Sequence, residues 1–208
     1  MATAPESRVL RWGRTERAVH WIHAAAFCVL LGSGLCLYLP SLAEAVGRRP
    51  LLKTVHLYTA LAWGVALVLV VAIGDRRALG RTVREIDSFD KEGRLNVGQK
   101  LNAIATAAFA ILFVVSGLDL WYGERDTRFR IPNALLVHDY LMYVSLVLFL
   151  GHLWFALILP RTRHSLSGIT RGWVREEWAA ANYPSWVAEL RAARVKQELD
   201  RAACPGDG

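Results

Sequence analysis

The stretch RAVHWIHAAAF, residues 17–27, places His20 and His23 at the mouth of a run that carries no acid, lysine or arginine from Ala18 to Leu39. An imidazole in hydrocarbon is costly and calls for a partner: a metal, a proton path or a hydrogen-bonded neighbour. Of six histidines, five (His20, His23, His56, His138 and His152) lie in such charge-poor runs, and only His164 falls outside, just after Pro160, where a surface position is expected. His152 follows His138 by 14 positions. In a helix that spacing is about 21 Å along the axis and about 40° around it, so one helix presents two imidazoles on nearly one face, one near each end.

The other histidines supply a partner at each level. His56 opens its run on the same side as His138, and His20 and His23 open theirs on the side of His152. A crossed pairing would join residues near opposite membrane surfaces. Imidazole nitrogen ligates haem iron axially, and two levels of paired imidazoles on facing helices suit two b-type haems. Any one of these histidines alone reads equally well as a proton relay or a packing residue; four that match in depth and face favour haem. His20 and His23 are three residues apart and face similarly, so which of them pairs with His152 stays open. The other one is a neighbour of haem or quinone, or a packing residue. A transition-metal transporter would gather its ligands at one depth beside an acid-lined path. Here the sites are split between leaflets, and the acids within the spans are Asp139 and, at an outer end, Asp119. Asp139, beside His138, can bond a haem edge, relay protons or simply sit at the interface.

These side chains need long apolar helices to position them. The 208 residues are 54% hydrophobic and 21% charged, with a mean hydropathy of +0.27. Four charge-poor runs stand out: Ala18–Leu39, Thr54–Gly74, Leu101–Leu118 and Ile131–Pro160. Each has 18 residues or more, and about 20 helical residues cross the hydrocarbon core. The expected spans are about 18–39, 52–74, 100–122 and 133–159, followed by a tail over 161–208. Ala43-Glu44-Ala45 resembles a signal-peptide cleavage site, but the apolar run before it is too long for an h-region, so the first span is expected to be retained. Cys28, Cys36 and Cys204 show neither CxxC nor zinc spacing, which leaves Cys28 and Cys36 as packing residues. Gly32, Gly34, Gly64 and Gly117 can admit a flat ring or allow close helix packing.

With four spans, residues 1–17, 75–100 and 161–208 share one side and carry 19 of the 25 Lys and Arg; the outer loops carry six. Both termini are therefore expected in the cytoplasm. The net charge of +7 reflects this bias and anionic lipid, and requires no nucleic-acid partner. The expected fold is an all-α membrane protein, a single-domain four-transmembrane-helix bundle binding two b-type haems. A loop of about Asp75–Gln99 joins spans two and three. The tail, with Trp173, Trp178, Trp186, Arg171 and Arg175, lies at the interface or docks as a helix. No internal repeat or low-complexity segment is evident.

The chain resembles the membrane cytochrome b (gamma) subunit of respiratory formate dehydrogenases over about residues 8–186. The resemblance rests on Glu16-Arg17-Ala18-Val19-His20-Trp21, on His56 opening the second span, on Asn96-Val97-Gly98-Gln99-Lys100, on His138 and His152, and on Ser165-Leu166-Ser167-Gly168-Ile169-Thr170-Arg171-Gly172-Trp173-Val174 followed by Trp178-Ala179. It implies a multi-pass protein of the bacterial inner membrane with two haem b groups. His56 and His138 would hold the outer haem, and His20 and His152 the cytoplasmic one. Quinone would bind near Asn96, Gly98, Gln99 and His152. The residues agree: this segment enters the membrane on the side of His20 and His152, Asn96 and Gln99 offer donors, and Gly98 lets backbone come close. The competing reading makes Asn96 a helix cap and Lys100 an interfacial anchor. Arg14, Arg17, Lys53 and Arg130 are candidate haem-propionate contacts, or else solvated or lipid-facing charges.

By the same resemblance the partners are an iron–sulfur beta subunit and a molybdenum or tungsten catalytic alpha subunit, with membrane lipid and quinone. Electrons would run from the iron–sulfur partner to quinone, and formate oxidation would occur elsewhere in the complex. Alternatives are a b-type cytochrome of another oxidoreductase, such as a nickel–iron hydrogenase, and a non-redox transporter or anchor. One departure is visible: the family commonly has two histidines before the late Pro-x-Trp, where this chain has Asn182 and Tyr183 before Pro184-Ser185-Trp186.

Overall fold

The structure is a computed structural model that describes residues 7–89 and 93–203. Cys204, and Lys91 among the positive charges counted above, lie outside the described residues. Four helices are long and apolar enough to cross a membrane, by length and composition: α1 (Arg14–Tyr38), α3 (Arg49–Ile73), α5 (Val97–Gly123) and a last one over Ala134–Ile158. A helix satisfies its backbone internally, which lipid demands.

Local signals set the shorter elements. The strand β1 (Arg8–Leu10) precedes α1. Pro40 starts α2 (Pro40–Val46), and Gly47, in the left-handed region at φ 63°, ends it. Asp75 caps α4 (Arg76–Asp87) by accepting from the Ala78 N–H at 3.0 Å. The segment around α4, expected as a loop, thus contains three turns of helix with polar and apolar faces. The fourth apolar helix comprises α6 (Ala134–Leu153) and a π-helical turn over Trp154–Ile158, in which the Leu159 N–H bonds Trp154 O at 3.0 Å. Pro160 then opens α7 (Pro160–Arg163). There follow α8 (Ser165–Arg171), β2 (Trp173–Arg175), α9 (Glu176–Asn182) and α10 (Pro184–Ala203).

The long helices form two hairpins. α1 packs along α3, and α5 along α6. Between the hairpins the meeting is made by rings: Phe27 on Phe149 at 5.1 Å, Tyr38 on Tyr143 at 5.6 Å, and two histidine pairs.

The first strand and the segment that follows α8 fold together at one end of the bundle, here called the tail end. β1 and β2 pair antiparallel with Val9 opposite Val174. Their buried faces, with Ala179, Tyr183, Trp186 and Val187, form a small core. Apart from this ribbon every regular element among the described residues is helical, in line with the all-α expectation; strands of three residues are too short to show a period of two. Of the tail tryptophans, Trp186 is in this core and Trp173 is exposed, so the tail docks on the N-terminal segment.

The hairpins also share a short motif, contrary to the expectation of no internal repeat. Ser33-Gly34-Leu35 in α1 matches Ser116-Gly117-Leu118 in α5, and Val55-His56-Leu57-Tyr58 in α3 parallels Val137-His138-Asp139-Tyr140 in α6. The repeated residues are few and far apart, and only their shared contacts single them out.

Candidate functional site

The histidines meet in two pairs. At the tail end His20 of α1 faces His152 of α6, with ring centroids 6.2 Å apart and planes at 49°. At the far end His56 of α3 faces His138 of α6, again at 6.2 Å, with planes at 62°. Two imidazoles that share one metal ion at a bond length of about 2 Å, each with its centroid about 1.1 Å behind the ligating nitrogen, stand about 6 Å apart. The separation in both pairs fits a single iron clamped between the rings, so the donor set suits bis-histidine haem.

His23, one turn along from His20, lies instead against Trp63 at 5.7 Å and Phe27 at 6.3 Å. Trp21, next to His20, donates from its indole to Ile169 O at 3.2 Å, tying the tail-end pair to α8. The π turn that begins two residues after His152 belongs to a class of helix defect common at functional sites. In the far pair each ring touches a serine of the neighbouring helix, Ser33 for His56 and Ser116 for His138.

The charged candidates are divided. Arg17 donates to Thr170 O at 2.7 Å, and Lys53 pairs with Glu124 at 2.5 Å, so both already have protein partners. Arg14 is exposed at the start of α1. Arg130 lines a cavity of about 520 Å³ at the far end, together with Asp119 and Asp139. Asp119 is buried and accepts the Ile131 N–H at 2.8 Å through Oδ1.

A second cavity, of about 290 Å³, opens at the tail end. Asn96, Gln99, Trp178, Asn182 and Tyr183 line it, with Arg161, Thr162, Ser165 and Leu159. Asn96 caps α5: its side chain accepts the Gln99 N–H at 2.9 Å, and Gln99 Oε1 accepts the Asn96 N–H at 3.1 Å. The Tyr183 hydroxyl at 3.3 Å and an Arg11 N–H at 3.4 Å also point to Gln99 Oε1. With Oε1 so occupied, the Gln99 amide is turned to leave its Nε2 hydrogens for a ligand. Gly98, exposed in the first turn of α5, and His152 are not among the lining residues.

Sequence reasoning gave no role to Arg11, which is 2% exposed. Its guanidinium lies 4.3 Å from the Tyr183 ring centroid and donates to Arg94 O at 2.8 Å. Burial pushes its pKa down and Tyr183 opposes that shift; a guanidinium stays charged in proteins. Arg94 in turn bonds Glu16 at 3.1 Å and Glu85 at 3.0 Å. The sequence blocks around Glu16 and Asn96, distant in the chain, are therefore neighbours in space. Lys100, read above as a possible interfacial anchor, is instead buried at 1% exposure and donates to Ser88 O at 2.6 Å.

The sequence profile of prokaryotic cytochrome b561 matches residues 11–172. The formate dehydrogenase cytochrome b556(fdo) subunit of Escherichia coli K12 is 26% identical over 206 residues, covering 91% of this chain and 96% of the relative. The formate dehydrogenase cytochrome b556 subunit of Haemophilus influenzae is 21% identical, covering 93% and 88%. The nitrate-inducible formate dehydrogenase cytochrome b556(Fdn) subunit of E. coli K12 is also 21% identical, covering 92% and 96%.

Proposed function

Because this chain belongs to the prokaryotic cytochrome b561 family, we propose that it is the di-haem electron-transfer subunit of a membrane-bound formate dehydrogenase. It would accept electrons at the far end and deliver them to quinone at the tail end. The observation that carries this reading is the pair of 6.2 Å imidazole separations, one at each end of α6. The relatives named above are formate dehydrogenase cytochrome subunits, which favours an iron–sulfur subunit and a molybdenum or tungsten catalytic subunit as partners.

His56 and His138 hold the far haem, and His20 and His152 the tail-end haem; bound there, the haems supply one-electron carriers. The distribution of Lys and Arg supports an orientation with the tail end toward the cytoplasm and the far end outside; the bacterial relatives favour the inner membrane. Quinone occupies the cavity beside Asn96 and Gln99. Gln99 Nε2 and Asn96 Nδ2 donate to a quinone carbonyl and favour the charge that develops as it is reduced. Two electrons from the partner and two protons from the tail side convert quinone to quinol. Arg11 and Tyr183 hold Gln99 in orientation.

The test is haem stoichiometry and subunit composition of the purified complex. Two haem b groups per chain by pyridine haemochrome assay are expected, with iron–sulfur and catalytic subunits co-purifying. A colourless preparation would discard the cytochrome reading, and hydrogenase partners would replace formate dehydrogenase. In His56→Ala one haem is expected to be lost while the catalytic subunit still reduces artificial acceptors; retention of both haems would remove His56 from the ligand set.

A further inference from the structure

Both serines that touch the far histidines are buried, Ser33 at 7% and Ser116 at 6% exposure. Ser33 Oγ lies 2.8 Å from Val29 O, and Ser116 Oγ lies 2.7 Å from Leu112 O. A hydroxyl has one proton and a carbonyl can only accept, so each serine donates to the carbonyl four residues earlier in its own helix. The same oxygens stand 2.8 Å from His56 Nδ1 and 2.9 Å from His138 Nδ1. With the hydroxyl proton already committed, this second contact works in one direction: Nδ1–H donates and Oγ accepts. Each imidazole then carries its proton on Nδ1 and keeps the lone pair on Nε2 for a metal.

The glycine after each serine extends the cradle. A methyl group at Gly34 would touch His56 Cε1 at 3.5 Å, and one at Gly117 would touch His138 Cε1 at 3.6 Å. Larger side chains there would push the rings off. The arrangement occurs twice, on two different hairpins, and only at the far level. Among the described residues no side-chain hydroxyl bonds a ring nitrogen of His20 or His152.

We infer that Ser33 and Ser116 are positioning residues that fix the tautomer and aim of His56 and His138, and through them the potential and retention of the far haem alone. The inference rests on the reading of these two histidines as axial ligands. A ligand imidazole that donates from its other nitrogen is more basic, which favours ferric iron. Removing the acceptor shifts the midpoint to more positive values and leaves a buried N–H without a partner.

The experiment is a redox titration, with EPR of the ferric haems, on the intact complex carrying Ser33→Ala, Ser116→Ala, or Thr at either position. In the alanine variants the far haem is expected to titrate at a more positive potential with an altered ferric signal, and to be held about 10–100-fold less tightly. The tail-end haem, which lacks this contact, serves as the internal standard and is expected to be unchanged. Threonine keeps a hydroxyl and is expected to restore both readouts. Alanine variants with a wild-type far potential and wild-type retention would overturn the inference. So would threonine variants that lose the far haem as completely as the alanine ones. Failure of the ligand reading looks different: His56→Ala and His138→Ala would then each keep two haems.

Discussion

At the scale of single residues, the tail-end cavity is defined by how acceptors and donors are shared. Gln99 Oε1 faces three donors, from Asn96, Tyr183 and Arg11, so what the cavity offers is the amide N–H of Gln99 and that of Asn96. Asn96→Leu removes one of these and the cap of α5; caps of this type are worth about 1 kcal/mol. Haem content is therefore expected to stay intact while quinone reduction falls, measured as quinol formation by the formate-reduced complex. Wild-type quinone kinetics would leave Asn96 a cap alone. Tyr183→Phe removes one of three donors to Gln99, worth about 1 kcal/mol, and a rise in quinone KM of about fivefold is expected with kcat little changed. At this scale the sequence was legible where periodicity acts: the spacing of His138 and His152 on one helix already implied two levels. The partner of His152 was not legible between His20 and His23, which share a face, and the structure sets His20 against His152 and His23 against Trp63. Ser33 and Ser116 were hidden for a different reason. A serine in an apolar run normally bonds its own helix, and nothing local says that a second acceptor site points at a ring 23 or 22 positions away.

At the scale of elements, the long helices followed from charge-poor runs, because lipid imposes length and apolarity on whatever crosses it. The terminal module did not. β1 and β2 are three-residue strands from opposite ends of the chain, and their pairing is held by contacts that no local pattern encodes. Gly172 is the hinge of that module. It ends α8 at φ +93°, and its carbonyl accepts the Arg11 N–H at 2.8 Å and the Trp12 N–H at 3.2 Å. A β-carbon there would lie 2.9 Å from Trp12 O. Alanine at 172 therefore incurs both a left-handed backbone and a backbone clash, about 1–3 kcal/mol. Gly172→Ala is expected to loosen β2 and α9 from β1, read as faster limited proteolysis around residues 165–183 with haem content intact. Unchanged proteolysis would mean that β1 and β2 hold the module without that turn. The same change would unsettle the wall of the tail-end cavity, since Trp178, Asn182 and Tyr183 stand on α9 and at its end.

At the scale of the whole molecule, two hairpins meet through rings and are tied unequally at their ends. The tail end has the β ribbon, the Val9–Val187 core and the Arg94–Glu16–Glu85 network. At the far end, besides Tyr38 on Tyr143, the hairpins are joined by the ion pair Lys53–Glu124, half-exposed at 49% and 60%, and such pairs contribute about 0–1 kcal/mol. A group clamped between His56 and His138 would therefore be the main fastening of the far end, and binding that favours the closed bundle stabilises it in proportion to ligand occupancy. Removing haem is expected to act asymmetrically. In haem-depleted protein held in lipid nanodiscs, hydrogen exchange should rise most in the first turns of α3 and α6, around His56 and His138, and least near Lys100 and the β ribbon. His56→Ala, with the tail-end haem still bound, should reproduce the far-end increase alone. Equal protection of both ends after haem removal would show that the hairpins are held by helix packing and not by what the histidines grip.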